Sequence, residues 1–217
     1  MPEPATISLL GTGFIAIVIR YFRKKYREVK PWFDRIVAFL LLIAFSPVIL
    51  VCAALVKLTS RGPAFYSQER VGQGWRTFRI IKLRTMRIGA EESTGPVWAA
   101  GDEDPRATPV GRVLRKTHLD ELPQLVNVLR GEMSLVGPRP ERPNFVEQLR
   151  KTVPDYDKRL SVRPGITGLA QVRASADRTL RDVRRKVKLD AMYIRRMCWI
   201  ADFVVLLRTL RKFAGKA

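Results

Sequence analysis

Residues 36–56 read IVAFLLLIAFSPVILVCAALV, 21 in a row without a charged side chain. As an α-helix this run covers about 30 Å, the thickness of a bilayer's hydrocarbon core. A helix apolar on every face for that length has no face suited to water, so a membrane is the first constraint on the fold. Ser46-Pro47 stands near the middle of the run. Proline removes one backbone hydrogen bond and crowds the carbonyl four residues back, so a helix over 34–57 is expected to break there. The Ser46 hydroxyl can return a hydrogen bond to the freed carbonyl.

The flanks bear on topology. Arg20, Arg23, Lys24, Lys25, Arg27, Lys30 and Arg35 precede the run, and Lys57, Arg61, Arg70, Arg76 and Arg79 follow it. Short basic flanks stay on the cytoplasmic side, and here both flanks are basic. A re-entrant helix that enters and leaves by one face satisfies both; a kinked single-pass helix is the alternative. Upstream, Ile7 to Ile19 is a shorter apolar stretch holding Gly11 and Gly13. It covers only about 20 Å, enough for a short span or an interfacial anchor, and lacks the basic start of a secretory signal. Near the C-terminus, Trp199, Phe203, Leu206, Leu207, Leu210 and Phe213 recur at helical spacing beside Arg208, Arg211 and Lys212. That pattern fits a helix on the membrane surface or one packed on a core.

Charge narrows the partners. The 217 residues hold 40 Lys+Arg against 20 Asp+Glu, a net +20, while 47% hydrophobic residues is too apolar for a disordered basic tail. The partner is therefore anionic: a phosphate-rich substrate, a lipid surface or nucleic acid. Aromatic residues are too scattered for a base-stacking platform, so no nucleic acid is expected. Two cysteines, Cys52 and Cys198, and the single His118 rule out a disulfide framework, a four-ligand zinc site and a histidine relay.

In the polar remainder, GPAFYSQERVGQGWRTFRIIKLRTM (62–86) alternates around Gly72 and Gly74 and predicts a small antiparallel hairpin. Residues 87–109 show little periodicity and predict a long loop. The segment Arg178–Lys188 alternates charge with Leu180, Val183 and Val187, as in a helix facing water or lipid headgroups. The densest chemistry lies in VGRVLRKTHLDELPQLVNVLRGEMSLVGPRP (110–140). Leu122, Leu125, Val126 and Leu129 form a helical stripe, Gly131 suits its end, and Pro123 is tolerated only in a first turn. Asp120 then falls near the N-cap, with Glu121 beside it. A helix cap is the simple reading. Yet Arg115 and Arg139 stand nearby in sequence, and two carboxylates among arginines in a chain expecting phosphate suggest metal-assisted phosphoryl transfer.

From Lys30 onward the chain resembles the bacterial sugar transferases, the monotopic polyprenyl-phosphate phosphoglycosyl transferases. The resemblance rests on KPWFDR (30–35), the Ser46-Pro47 helix, FYSQERVGQGW (65–75), IKLRTM (81–86), LRKTHLDELPQLVNVLRGEMSLVGPRP (114–140), RPGITGLAQV (163–172) and KLDAMYI (188–194). It implies an α+β, mostly helical fold with a re-entrant helix, a hairpin and interfacial amphipathic helices. A segment 1–29 would precede a catalytic domain over 30–217. The implied reaction moves a sugar phosphate from a UDP-sugar to undecaprenyl phosphate with Mg²⁺, at the cytoplasmic face of the bacterial inner membrane, where anionic lipids are further partners. It would open the synthesis of a surface polysaccharide. Carried onto this chain, Asp120 is the nucleophile and Glu121 its partner, both metal ligands, while Arg115, Arg139 and Lys82 hold phosphate. Asp190 would pair with a basic group that steadies the membrane helix. Two positions depart from the family pattern: His118 replaces a small polar residue, and Val172-Arg173-Ala174-Ser175-Ala176 replaces an Asn-Gly-Arg-like turn.

Overall fold

The computed structural model describes residues 4–92, 95, 104–174 and 179–213. Most of them are helical. Helix α1 runs Pro4–Thr59, through the expected boundary at 29 and 30. It passes Ser46-Pro47 without leaving helical conformation. The carbonyl that Pro47 cannot engage belongs to Ile43, and Ser46 Oγ donates to it at 2.8 Å, as the sequence suggested.

One line of α1 faces the protein: Tyr26, Lys30, Asp34 and Ala38, then Ile49, Cys52 and Val56, are buried. The spacing of three and four is that of a single helical stripe. Ile36, Phe39, Leu40, Ile43, Leu50, Val51, Leu55 and Leu58 remain exposed, and only 17% of the most apolar window is buried. A soluble core helix would hide these side chains; here they form a continuous apolar face.

Strands β1 (Phe65–Val71) and β2 (Thr77–Leu83) form the predicted antiparallel hairpin, Phe65 opposite Leu83 and Val71 opposite Thr77. Gly74 and Trp75 both take positive φ at its tip. Next come α2 (Pro109–Thr117), a 3-10 turn (Leu119–Gln124) and α3 (Leu125–Leu129). Strand β3 (Ser134–Val136), α4 (Pro143–Thr152), a second 3-10 turn (Tyr156–Ser161) and β4 (Gly165–Thr167) follow. Helices α5 (Leu169–Arg173), α6 (Leu180–Arg196) and α7 (Trp199–Phe213) complete the chain. Thr179 and Asp182 close a reciprocal capping box at the start of α6. The short strands β3 and β4 pair in parallel, which three-residue segments gave no periodicity to predict.

The main core joins Ala38 of α1 to Phe78 and Ile80 of β2, Leu125 and Val128 of α3, Met133, Val136, Tyr193 and Val205. Helix α7 buries Asp202 and Val205 but exposes Ile200, Phe203 and Leu210, so it packs on the core by one edge and presents an apolar face with the other. The side chains of Ile7–Ile19, and Ser175 with Ala176, lie outside the described set.

A polar knot ties α1 down. Lys30 Nζ, 5% exposed with its residue, lies 3.3 Å from Asp34 and in direct ion-pair contact with Asp202 of α7. Tyr26 and Tyr193 donate to Asp202 at 2.7 and 2.6 Å, and Ser134 donates to Asp34. One ammonium thus serves two buried carboxylates. Removing it leaves both uncompensated, so Lys30→Met is expected to lower unfolding free energy by about 3–5 kcal/mol. Adding Asp202→Asn should restore part of the loss, a coupling that a double-mutant denaturation series in detergent reads directly.

Candidate active site

The carboxylate pair sits in the 3-10 turn between α2 and α3. Thr108 caps α2, accepting from Gly111 N at 2.9 Å, with Pro109 in the first turn. Gly111 is required because a Cβ there would collide with the Thr85 backbone, so α2 lies directly against the end of the hairpin. His118 ends α2 in left-handed conformation, φ 55°, and turns the chain into Leu119–Gln124. Asp120 is therefore not an N-cap: the cap position is His118, and Asp120 and Glu121 occupy the 3-10 turn itself. Pro123, with no N–H, suits that irregular turn better than an α-helix starting at 120.

Asn127 sets the turn against the hairpin. Its Oδ1 accepts from Ile81 N at 3.0 Å and its Nδ2 donates to Arg79 O at 2.8 Å, so one side-chain amide takes the place of a strand along the free edge of β2. Nδ2 also donates to Glu132 at 2.7 Å. This fully buried residue positions Lys82 of β2 opposite Glu121.

Lys82 Nζ donates to Glu121 Oε1 at 2.7 Å. Arg139 reaches the same carboxylate with two guanidinium nitrogens, at 2.8 and 3.4 Å. Burial alone would raise the Glu121 pKa, but Arg139 and Lys82 outweigh it and hold it well below its usual value. Asp120 is the opposite case. It is 7% exposed, and among the described residues no cation forms an ion pair with it. Burial pushes its pKa up to about 6, although Lys82, Arg139 and Arg115 act against that. Adjacent residues thus differ sharply in proton affinity, as in catalytic carboxylate pairs.

The backbone around Arg139 is gripped from several sides. Gly137 N donates to Thr167 O at 2.9 Å, Gly165 N to Pro138 O at 2.8 Å, and Arg159 Nη2 to Arg139 O at 3.1 Å. A Cβ on Gly137, Gly165 or Gly168 would strike the facing backbone. RPGITG (163–168) therefore packs on GPRP (137–140) and aims Arg139, a role with no sequence signal beyond its glycines.

Of the predicted site residues, Lys82, Glu121 and Arg139 come together around Asp120. Arg115 does not join them: its closest anion is Asp104, at 3.7 Å, and Asp104 is fully buried and also binds Arg106 at 2.7 Å. Arg115 still lies close enough to favour the ionised form of Asp120. Asp190 pairs with a basic group as expected, Arg159 of Tyr156–Ser161, at 3.1 Å. The helix is held by Lys30. Ser46 and Pro47 lie in α1, apart from this cluster.

Among the described residues no three His, Cys, Asp or Glu side chains gather as metal ligands. A hard cation such as Mg²⁺ needs only one or two carboxylates when substrate phosphates and water complete its shell. The buried, unpaired Asp120 beside Glu121 fits that role.

A hairpin and short helices thus lie against a long apolar helix, with an acidic pair facing Lys82 and Arg139. The chain belongs to the bacterial sugar transferase family, whose model matches residues 25–216. It is 42% identical, over 86% of its length and 44% of the relative's, to a UDP-N-acetylgalactosamine-undecaprenyl-phosphate N-acetylgalactosaminephosphotransferase of Aeromonas hydrophila. It is 43% identical to a UDP-glucose:undecaprenyl-phosphate glucose-1-phosphate transferase of Caulobacter vibrioides, over 82% of this chain and 66% of that one. The exopolysaccharide production protein ExoY of Sinorhizobium fredii is 38% identical over 83% of both chains. The chain spans less than half of the Aeromonas relative and about two thirds of the Caulobacter one.

The raised Asp120 pKa has a consequence for stability. The folded state holds this proton more tightly than the unfolded chain does, so the contribution is present below about pH 4 and is lost as pH rises through about 6. Asp120→Asn is therefore expected to stabilise the ligand-free protein at pH 7.5 by at most about 3 kcal/mol. Thermal melts should show the gain vanish by pH 4.

Proposed function

We propose that this chain transfers a sugar phosphate from a UDP-sugar to undecaprenyl phosphate through a covalent phosphosugar on Asp120. An Asp120 oxygen attacks the phosphorus that bears the sugar, the bond from that phosphorus to UMP breaks, and UMP leaves with the electron pair. A phosphate oxygen of undecaprenyl phosphate then attacks the same phosphorus. The bond to Asp120 breaks, giving undecaprenyl-diphosphate-sugar and the free carboxylate. No net proton transfer is needed.

The observation that carries the reading is the contrast within the pair: Asp120 is buried without an ion-pair partner, while Glu121 is locked to Lys82 and Arg139. An unpaired carboxylate keeps its lone pairs for attack. Arg139, 40% exposed at its side chain, retains donors for a diphosphate, and arginine suits bidentate phosphate contact. Lys82 adds positive charge where the two anions meet. Mg²⁺, held by Asp120 and Glu121, would neutralise charge on the departing UMP phosphate.

Topology follows from the same body. Lys30, before the apolar run, bonds to Asp202; Ser60 and the Arg61 carbonyl, after it, bond to Arg84. Both ends of the run are thus tied to one polar body, which supports a monotopic helix that enters and leaves by one face. The basic flanks support a cytoplasmic face, the side on which a nucleotide sugar is available. Surface-polysaccharide synthesis is the pathway class that uses such a lipid-linked product, in keeping with the names of the relatives.

The test is UMP release by detergent-purified protein from a panel of UDP-sugars with Mg²⁺ and undecaprenyl phosphate. Asp120→Asn is expected to lose at least a thousandfold of the rate, and labelled sugar phosphate should accumulate on wild-type protein when the lipid is withheld. A variant within tenfold of wild type would end the nucleophile assignment. For the free enzyme, kcat/KM should fall tenfold per pH unit below about 6, as Asp120 takes up its proton. In inverted vesicles, cysteines placed at Lys24 and Arg61 are both expected to react with an impermeant maleimide; protection of either one would mark a spanning helix.

A further inference from the structure

A second cationic site lies at the other end of the hairpin. A cleft of about 530 Å³ is lined by Gly72–Gly74 and Arg76–Phe78 at the hairpin tip, by Arg130, Gly131 and Glu132 after α3, and by Arg163 before β4. Thr77 stands five residues along β2 from Lys82, about 16 Å at strand rise, so this cleft is separate from the carboxylate pair. Arg76, Arg130 and Arg163 line it directly. Arg35 of α1 reaches its wall, because a Cβ on Gly131 would collide with the Arg35 guanidinium.

Several other arginines of the body are paired within it. Arg70, Arg106, Arg139, Arg142 and Arg159 each have a carboxylate partner. Among the described residues Arg76, Arg130 and Arg163 have no side-chain hydrogen bond or ion pair, and Arg35 only stacks on Trp32, 5.2 Å from its ring. Arg35 Nε is buried with no hydrogen-bond partner at all. Glu132 in the lining accepts from Asn127 at 2.7 Å and keeps its charge, which offsets one of these four guanidiniums and leaves the cleft cationic. Arg163 is only half-exposed; burial first, and then the like charge of Arg35, lower its pKa, against a smaller opposing pull from Asp34, which is itself paired with Lys30. Holding like charges together costs free energy unless an anion joins them.

The position of the cleft identifies the anion. Arg35 immediately precedes the apolar run, and the exposed rings of Trp32 and Phe33 flank it, an arrangement found where a helix meets the headgroup layer. Basic pockets at that level take phospholipid headgroups.

We propose that the cleft bounded by Arg35, Arg76, Arg130 and Arg163 binds the phosphate headgroup of an anionic phospholipid, as a site distinct from the active centre. The choice of a lipid over a soluble phosphate rests on the membrane placement of residues 36–56; the phosphate chemistry does not.

The test uses the full chain in a neutral detergent, titrated with dioctanoyl phosphatidylglycerol, dioctanoyl phosphatidylcholine and inorganic phosphate, with the melting temperature as readout. Phosphatidylglycerol is expected to raise Tm saturably, and phosphatidylcholine to leave it unchanged. Arg130→Gln with Arg163→Gln should weaken the apparent Kd at least tenfold, while Arg181→Gln, a charge loss on exposed α6, should change it less than twofold. Because neither replaced guanidinium has an internal partner, the double variant should melt no lower than wild type before lipid is added. An equal response to inorganic phosphate would overturn the lipid assignment, and an unweakened response in the double variant would overturn the site. Flotation on neutral vesicles tests the membrane reading separately: both proteins should float, and failure to float would sink that reading while the short-chain titration still reports on the cleft.

Discussion

A single buried ammonium organises this protein. Lys30 meets two carboxylates that come from opposite ends of the sequence, Asp34 on its own helix and Asp202 on α7, and hydroxyls of Tyr26, Tyr193 and Ser134 take up remaining lone pairs. Ser134 begins β3, which pairs with β4, and the same stretch continues into Gly137–Pro140, where Arg139 is aimed at Glu121. The position of the apolar helix and the position of Arg139 therefore descend from one polar knot. Such a cluster adds little stability relative to an apolar core of equal volume, but it admits one arrangement of its members, and that is what a site at a lipid boundary requires.

The carboxylate pair shows how neighbours in sequence acquire opposite character. Asp120 and Glu121 share a turn, a charge and a degree of burial. They differ in what faces them: Glu121 meets Lys82 and Arg139, and Asp120 meets neither at ion-pair distance. The distribution of cations, more than burial, decides which of the two is left without an ion-pair partner. Asn127 and the three glycines at 137, 165 and 168 act one step back, fixing the β2 edge and the Arg139 backbone.

Much of this was legible in the sequence, for reasons that differ by element. The apolar helix and the hairpin announce themselves through period and composition, and the Ser46 hydroxyl finds the carbonyl that proline chemistry frees. Lys82, Glu121 and Arg139 were legible through motif resemblance, and the structure brings them into contact. What escaped depends on partners far apart in the chain. Arg115 lies five residues from Asp120 yet turns to Asp104, in a loop with no periodicity to fix it. The base that Asp190 finds is Arg159, and Lys30 finds Asp202 across 172 positions. The left-handed His118, which makes the site a 3-10 turn, carries only a weak mark: histidine is among the non-glycine residues enriched in that conformation, yet the conformation is uncommon for any of them.

Helix α1 is fastened at two points, by Lys30 to Asp202 and by Ser60 and Arg61 to Arg84. Thirty residues, about 45 Å of helix, separate them. Each residue of an α-helix advances the chain by about 100° of rotation, so a single insertion or deletion between the fastenings would turn one of them away from its partner. The outward face of the helix is free to vary in composition so long as it stays greasy, but its length is phase-locked to the body. The helix works as a ruler, setting by residue count how its two fastenings meet the body.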